Sequence, residues 1–147
     1  MYDEILLPTD GSEGVQAAID HALYVADLAD ATVHALFVVD ERGAAGEWDV
    51  VVEREEEHGE AAVDAVATAG NERDVAVERH LRRGTPHEEI LDAADAYDVD
   101  LIVMGTHGRT GIDRFVNAGS VAERVVRHAP MPVMTARLGE PTGEKTE

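Results

Sequence analysis

The hydrophobic positions of this chain fall into short apolar runs separated by longer amphipathic segments. The short runs are rich in Val, Ile and Leu, which is typical of strands. We predict strands over residues 4–9, 31–39, 74–84, 100–105 and 131–138. The first and fourth runs are apolar throughout, which favours the centre of a sheet. The third run alternates with polar residues, as a strand near the sheet edge does.

Between these runs the apolar residues recur with helical spacing. Helices are expected over 12–29, 50–69, from 85 onward and near 120–128. Ser12 is expected to cap the first helix. Thr85 and Glu88 form a capping-box pattern, with Pro86 at the first helical position. Residues 40–49 are expected to form a loop, and the second helix is expected to turn its acidic run towards solvent.

The alternation of strands and helices predicts an α/β fold, in which a five-stranded parallel sheet of order 3-2-1-4-5 carries helices on both faces. In such sheets ligands bind at the carboxyl ends of the strands, where the strand order reverses. Here that point lies between the first and fourth strands. The stretches "PTDGS" (8–12) and "GTHGRTGIDRFVNAGS" (105–120) would meet there. Residues 1–138 are predicted to form one domain, followed by a disordered acidic tail at 139–147.

The second of these stretches holds four glycines and directly follows Met104. A glycine-rich turn between a strand and a helix can aim several backbone N–H groups at a phosphate, and the helix N-terminus adds partial positive charge. Arg109 and Arg114 offer cationic donors to an anion. The alternative is a mobile loop that uses glycine for positive φ. His107 is open to two interpretations, as a phosphate contact or as a loop residue bonded to the backbone.

Other nucleotide motifs are excluded. A P-loop needs a lysine that this loop does not have, and "DGSEG" does not supply the dinucleotide fingerprint. Asp10 follows Pro8 and Thr9 at the end of the first strand. It could accept a hydrogen bond from a sugar hydroxyl or an adenine amine, or it could cap the first helix, and the sequence leaves both open.

Thirty-one acidic residues face twelve basic ones, a net charge of −19, and the only lysine is Lys145. Such a surface repels itself unless salt screens it, and at ~1 M salt the screening length falls to about 3 Å. We therefore expect adaptation to a salty cytoplasm, as in halophilic microbes. The same charge argues against nucleic-acid binding.

The chain has no apolar run of about 18 residues, an acidic N-terminus and no cysteine. We expect no membrane span, no signal peptide, no thiol chemistry and a cytoplasmic location. The seven histidines show no close ligand spacing, so neither a metal site built by the protein nor a catalytic residue is expected. A divalent metal would be held mainly by nucleotide phosphates.

Five stretches together resemble the universal stress protein family, the UspA-like domain. They are "ILLPTDGSE" (5–13), "LFVVD" (36–40), "GTPHEEIL" (84–91), "DLIVMGTHGRTG" (100–111) and "GSVAERVVRHAPMPVM" (119–134). The resemblance runs from Tyr2 to about Arg137. It implies a Rossmann-like sheet, a homodimer formed through the last strand (131–137), and membership of the branch that binds ATP through the pattern G-x2-G-x9-G-[ST].

By this resemblance Asp10 would hold adenine or ribose, and Val38 would contact adenine. The glycine loop would surround the phosphates, which would hold Mg²⁺ or Mn²⁺. The candidate nucleotide-binding residues are Pro8, Thr9, Asp10, Val38, Met104, Gly105, His107, Gly108, Arg109, Gly119, Ser120 and Val121. The chain departs from the pattern at one point. Ten residues separate Gly108 from Gly119, where the pattern has nine, and this difference falls at the triphosphate end of the expected site and not at the adenine end.

The sequence thus predicts a regulatory protein whose conformation or assembly depends on an adenine nucleotide and is read by protein partners that the sequence does not name. One alternative is a dimeric interaction protein with an empty, structural glycine loop. Another is a slow ATPase.

Overall fold

The computed structural model describes residues 1–40, 48–106 and 121–137. Its five strands are β1 (Glu4–Pro8), β2 (Thr32–Asp40), β3 (Val77–Gly84), β4 (Leu101–Gly105) and β5 (Val133–Ala136). Its helices are α1 (Gln16–Ala29), α2 (Trp48–Glu72), α3 (Pro86–Ala96) and α4, which is helical over residues 121–128. Within these ranges no helix combines the length and the apolar character that crossing a membrane requires.

The strands form one parallel sheet of order β3-β2-β1-β4-β5, which confirms the predicted order. Side chains alternate between its faces. On one face, Ile5 and Leu7 of β1 pack with residues of α1 and α2, and on the other, Leu6 packs with α3 and α4. Helices therefore cover both faces, as predicted. All three of these β1 side chains are fully buried, which is why the first strand reads as a continuous apolar run.

The first helix begins later than predicted. A short 3-10 turn, Glu13–Val15, precedes α1, which starts at Gln16 without a side-chain cap. Ser12 was expected to be that cap, and the expectation is wrong. Its hydroxyl donates instead to Asp10 Oδ1 at 2.6 Å, so the serine completes the preceding turn and is not available to the helix.

The third helix begins at Pro86, as predicted, but the capping box does not form. Thr85 is extended, and its side chain makes no capping hydrogen bond. Its carbonyl accepts from Glu89 N at 2.9 Å, so the backbone alone starts the helical ladder. Glu88 and Glu89 still favour this end through their charge, because the N-terminus of a helix is partially positive.

The second helix is longer than predicted at both ends, since residues 48 and 49 and residues 70–72 are also helical. The helix contains a glycine, Gly70, at the point where it packs closely against β3. A Cβ at Gly70 would sit 2.4 Å from Val77 Cγ2, so only glycine permits the approach. The rest of the predicted loop after Asp40, and the tail at 139–147, lie outside the described residues.

Candidate functional site

The central strands β1 and β4 are joined at their amino ends. Asp100 N donates to Glu4 O at 2.7 Å, and Asp100 Oδ2 accepts from the backbone N–H groups of Asp3 and Glu4 at 2.8 and 3.0 Å. These two hydrogen bonds, the one from Asp3 being the stronger, favour the charged carboxylate and lower the pKa of Asp100. These hydrogen bonds therefore fix the position of β1 relative to β4 at the amino ends of the two strands.

The pairing of the same two strands ends before they reach their carboxyl ends. Their register pairs Ile5 with Leu101 and Leu6 with Ile102 and goes no further. Beyond that point β1 continues beside β2 as far as Pro8, and β4 continues beside β5 as far as Gly105. The pairing therefore ends where the strand order reverses, at the position that the sequence predicts for a ligand, and we call this region the cleft.

Pro8 explains why the hydrogen bonding between β1 and β4 stops. Odd-numbered residues at both ends of β1 bond to β2: Thr9 N donates to Leu36 O at 2.8 Å, and Asp3 O accepts from β2. Even-numbered residues therefore face β4, as Glu4 does. Pro8 is even-numbered and has no N–H, so it cannot extend the hydrogen bonding towards β4.

The turn after β1 is held by its own side chains. Thr9 is buried, and its Oγ1 accepts from Gly11 N at 3.1 Å. Asp10 is exposed, and its Oδ1 accepts from both the backbone N–H and the hydroxyl of Ser12. Asp10 therefore closes this turn and does not cap α1. The turn holds its carboxylate at the rim of the cleft.

His58 is a residue of this region that the sequence analysis missed. It lies in α2, and its Nε2 donates to the carbonyl oxygen of Asp10 at 3.1 Å. Its ring meets Phe37 edge to face, with centroids 5.5 Å apart. Gly11 has φ +78, and a Cβ there would lie 2.6 Å from His58 Nε2. No local pattern could have found this contact, because 48 residues separate the two partners.

Gly105 is the only glycine of the glycine-rich run among the described residues, and its backbone lies close to the turn that precedes α1. A Cβ at Gly105 would lie 3.2 Å from the carbonyl oxygen of Gly14, so a larger residue would push the two segments apart. The next residue, Thr106, donates its N–H to Ala136 O at 3.0 Å, which keeps this end of β4 against β5. Gly105 therefore has a packing role as well as a place at the cleft.

The structure brings together seven of the twelve candidate residues. At the strand ends lie Pro8, Thr9, Asp10, Val38, Met104 and Gly105, and Val121 lies in the described part of α4. Val38, Met104 and Val121 share the apolar cluster on the face covered by α3 and α4. The other five candidates lie outside the described residues: His107, Gly108, Arg109, Gly119 and Ser120. Gly111 and Arg114 of the same loop also lie outside them.

The described part of the cleft combines two kinds of surface. Val38 and Val121 are half-buried and offer an apolar wall to a flat ring. The Asp10 carboxylate accepts hydrogen bonds only, so it suits a hydroxyl or amine donor. The arrangement suits a small molecule that has a flat apolar ring and a hydrogen-bond donor.

Comparison with known proteins places this geometry in a family. The model of the universal stress protein family matches residues 1–137. The chain is 38% identical over 142 residues to universal stress protein MJ0531 of Methanocaldococcus jannaschii, covering 93% of this chain and 83% of that protein. It is 34% identical over 156 residues to MJ0577, a universal stress protein of the same organism, covering 93% and 96%.

The solved structure of MJ0577 superposes on this chain with a TM-score of 0.80 at 30% identity, covering 95% of this chain and 99% of that one. More distant family structures are an Archaeoglobus fulgidus protein in complex with dAMP (TM-score 0.66, 24% identity, coverage 91% and 97%) and a protein in complex with cAMP (0.63, 21%, 93% and 98%). At these identities the last two demonstrate a common fold.

Proposed function

The chain belongs to the universal stress protein family, and we propose that it binds an adenine nucleotide, ATP being the expected form, in the cleft between β1 and β4. The observation that carries the proposal is that the pairing of these strands ends at Leu6 and Ile102. This point lies towards the carboxyl ends of the strands, where ligands of doubly wound folds bind.

Each end of the cleft suits one part of the nucleotide. Val38 and Val121 would contact the adenine ring, and Asp10 would accept a hydrogen bond from the ribose or the adenine amine. The loop from Gly105 to Ser120 would supply N–H groups to the phosphates, which in turn would hold Mg²⁺ or Mn²⁺. Two solved family members contain the adenine nucleotides cAMP and dAMP. Their identity to this chain is low, so its own residues have to carry the proposal.

We propose a regulatory role for the bound nucleotide and no catalytic one. ATP would favour one conformation or assembly, which partner proteins would read. β5 lies at the edge of the sheet and carries Met134, which is 36% exposed. An exposed apolar edge strand is suited to pairing with a second copy of the chain. We therefore propose a homodimer formed through residues 131–137.

The test of nucleotide binding is calorimetry in molar KCl, where the charge of −19 is screened. We expect ATP to bind and GTP to bind more weakly. Asp10→Ala should weaken ATP binding by about tenfold, which corresponds to about 1.4 kcal/mol. The matched control is Asp27→Ala, which removes the same charge from an exposed position on α1.

This control matters because loss of any acidic residue reduces repulsion of the triphosphate. Binding that is absent at millimolar ATP, or equal changes in the two variants, would overturn the proposal. Circular dichroism confirms beforehand that Asp10→Ala folds.

Assembly is tested separately by sedimentation with and without ATP. Met134→Glu should yield monomers because it places a charge on the edge strand. Leu28→Glu, at a position that is 72% exposed on α1, should leave the dimer intact. Monomers in every sample would contradict the proposed interface.

A further inference from the structure

A second group of polar side chains lies on the sheet face that α3 covers, mainly on strands β2 and β3. We call it the histidine cluster and define it by five residues: Glu4, His34, Glu78, His80 and Tyr97. Strand register brings His34 beside Glu78, and His80 follows two residues later on the same face of β3. Glu4 and His34 lie near the amino ends of β1 and β2, whereas the cleft lies at the carboxyl ends.

Three atoms of this cluster converge. His34 Nδ1 lies 2.9 Å from His80 Nε2 and 3.8 Å from Glu78 Oε1. All three lie within 4.8 Å of one another. Ligand atoms about 2.0–2.2 Å from one zinc ion have similar separations, with modest side-chain adjustment. Glu78 can adjust because its side chain is 62% exposed.

Glu4 fixes the chemical state of His34. His34 is buried, and its Nε2 lies 2.7 Å from Glu4 Oε1. A carboxylate only accepts, so the ring donates its Nε2–H, and in the neutral ring Nδ1 then carries the lone pair. That lone pair points towards His80 and Glu78. Metal-binding histidines have this same arrangement, in which a carboxylate holds the nitrogen that does not bind the metal.

His80 is also held in place. Its ring stacks on Tyr97 with centroids 4.1 Å apart and an interplanar angle of 20°. Its Nε2 donates to His34 Nδ1 in the metal-free cluster, and moving that proton to its Nδ1 would make Nε2 a ligand. Arg82, which stacks over Tyr97, is the nearby cation, and its charge is paired with Glu89 at 2.9 Å.

We propose that His34, His80 and Glu78 form a site for a divalent transition-metal ion of the zinc class, with water completing the coordination. Two imidazoles and one carboxylate favour such ions over Mg²⁺ and Ca²⁺, which prefer ligand sets made only of oxygen. Three protein ligands and one water is an established arrangement for zinc. The site is independent of the nucleotide cleft.

The test is a zinc titration against a chromophoric competitor, without nucleotide, in a high-salt buffer that lacks chloride. Excess Mg²⁺ is included because it occupies the many surface carboxylates but competes poorly for imidazole. We expect one Zn²⁺ per chain. His80→Gln should abolish this binding, and Glu4→Gln should weaken it by about ten- to a hundredfold through the orientation of His34.

His21→Gln is the control, since it removes an exposed histidine of α1 and should bind zinc normally. If His80→Gln does not fold, Glu78→Gln replaces it, because Glu78 is exposed. Equal zinc affinity in the wild type and in the ligand variants would overturn the proposal. It would leave the cluster as a hydrogen-bonded histidine pair.

Two further measurements exclude an indirect effect on folding. Cobalt bound in place of zinc should give the visible absorption of a low-coordinate site, whereas a spectrum like that of the hydrated ion would contradict the proposal. Imidazole nitrogen NMR should show the His80 proton moving from Nε2 to Nδ1 when zinc binds. The ATP affinity of Glu78→Gln should be unchanged, so this proposal and that of nucleotide binding can fail separately.

Discussion

The cleft and the histidine cluster lie in different parts of the same sheet, and their order has different physical origins. At the described part of the cleft the main chain sets the shape: Pro8 ends the ladder, and Gly11 and Gly105 allow close approach. In the histidine cluster regular strands carry side chains that meet across the register, as His34 and His80 do. The comparison teaches that backbone conformation determines the local structure at the cleft, whereas contacts between side chains determine it in the histidine cluster.

This difference determines which changes each region tolerates. Adding a single methyl group should harm the cleft, because at its glycines there is no space and, at Gly11, a positive φ. The histidine cluster should tolerate changes of shape at its exposed margin but not the loss of a donor or acceptor. Substitutions of each type, made in both regions, test this contrast.

The largest expected effect is at Gly11. Gly11→Ala should lower the free energy of unfolding by about 3 kcal/mol, because the left-handed conformation disfavours a Cβ and because that Cβ would meet His58 at 2.6 Å. Urea unfolding at high salt measures the loss. The variant should also bind ATP more weakly, since the turn that positions Asp10 is displaced.

A double variant separates the two causes. His58→Ala removes the ring that the new methyl group would meet, so the second substitution should recover the steric part of the loss and leave about 1–2 kcal/mol for the backbone. A loss in Gly11→Ala below about 0.5 kcal/mol would show that the turn adapts. In that case the cleft would not depend on its backbone as described.

The corresponding change in the histidine cluster is Glu4→Gln, which keeps the shape and removes the charge. It should cost about 1 kcal/mol, because the hydrogen bond to His34 Nε2 loses its ionised acceptor. Urea unfolding compares it with Glu60→Gln, which removes the same charge from an exposed position on α2. On so acidic a chain, loss of a carboxylate can itself stabilise. The difference between the two variants is therefore the quantity to measure, and a difference of zero would contradict a specific role for Glu4.

A smaller, pH-dependent effect is expected where β1 and β4 are joined. The folded-state pKa of Asp100 lies below its ordinary value of 3.8, so its stabilising effect is fully present above that value and is lost as the pH falls through the folded pKa. Asp100→Asn should therefore cost somewhat less than about 1 kcal/mol near neutrality, because the site is partly exposed. The difference in the free energy of unfolding between Asp100→Asn and the wild type should disappear in acid.

Urea unfolding at neutral and acidic pH follows this difference. Asp98→Asn is the matched control, because asparagine suits the positive φ of 55 at this exposed position. A difference that persists unchanged in acid would mean that the carboxylate charge is not what joins the strands.

The sequence predicted the secondary structure and the strand order better than the contacts between individual residues. Strand order followed from the alternation of apolar runs, and Pro86 marked the start of a helix through its own fixed φ. Both signals are local. The cap expected at Ser12 failed because Asp10, two residues away, takes its hydroxyl, a competition that a pattern of residue types does not resolve.

The pairing of His34 with His80 was missed for a different reason. The two residues are 46 positions apart, and only the register between β2 and β3 brings their rings together. A search for close ligand spacing examines neighbours along the chain, so it cannot detect ligands that neighbouring strands supply. The glycine loop gave the strongest sequence signal, and for its residues 107–120 the nucleotide prediction stands without a structural outcome.

The smallest expected effect is at Arg79, the residue before His80. Successive side chains of a strand point to opposite faces, so Arg79 pairs with Asp64 of α2 while His80 joins the histidine cluster. Both members of the ion pair are more than half exposed, so Arg79→Gln should change the free energy of unfolding by less than about 0.5 kcal/mol in high salt. Its zinc affinity should equal that of the wild type, whereas His80→Gln loses binding one residue away. Equal losses in the two variants would mean that disturbing β3 is enough to remove the metal, and the convergence of side chains on one face would no longer explain the site.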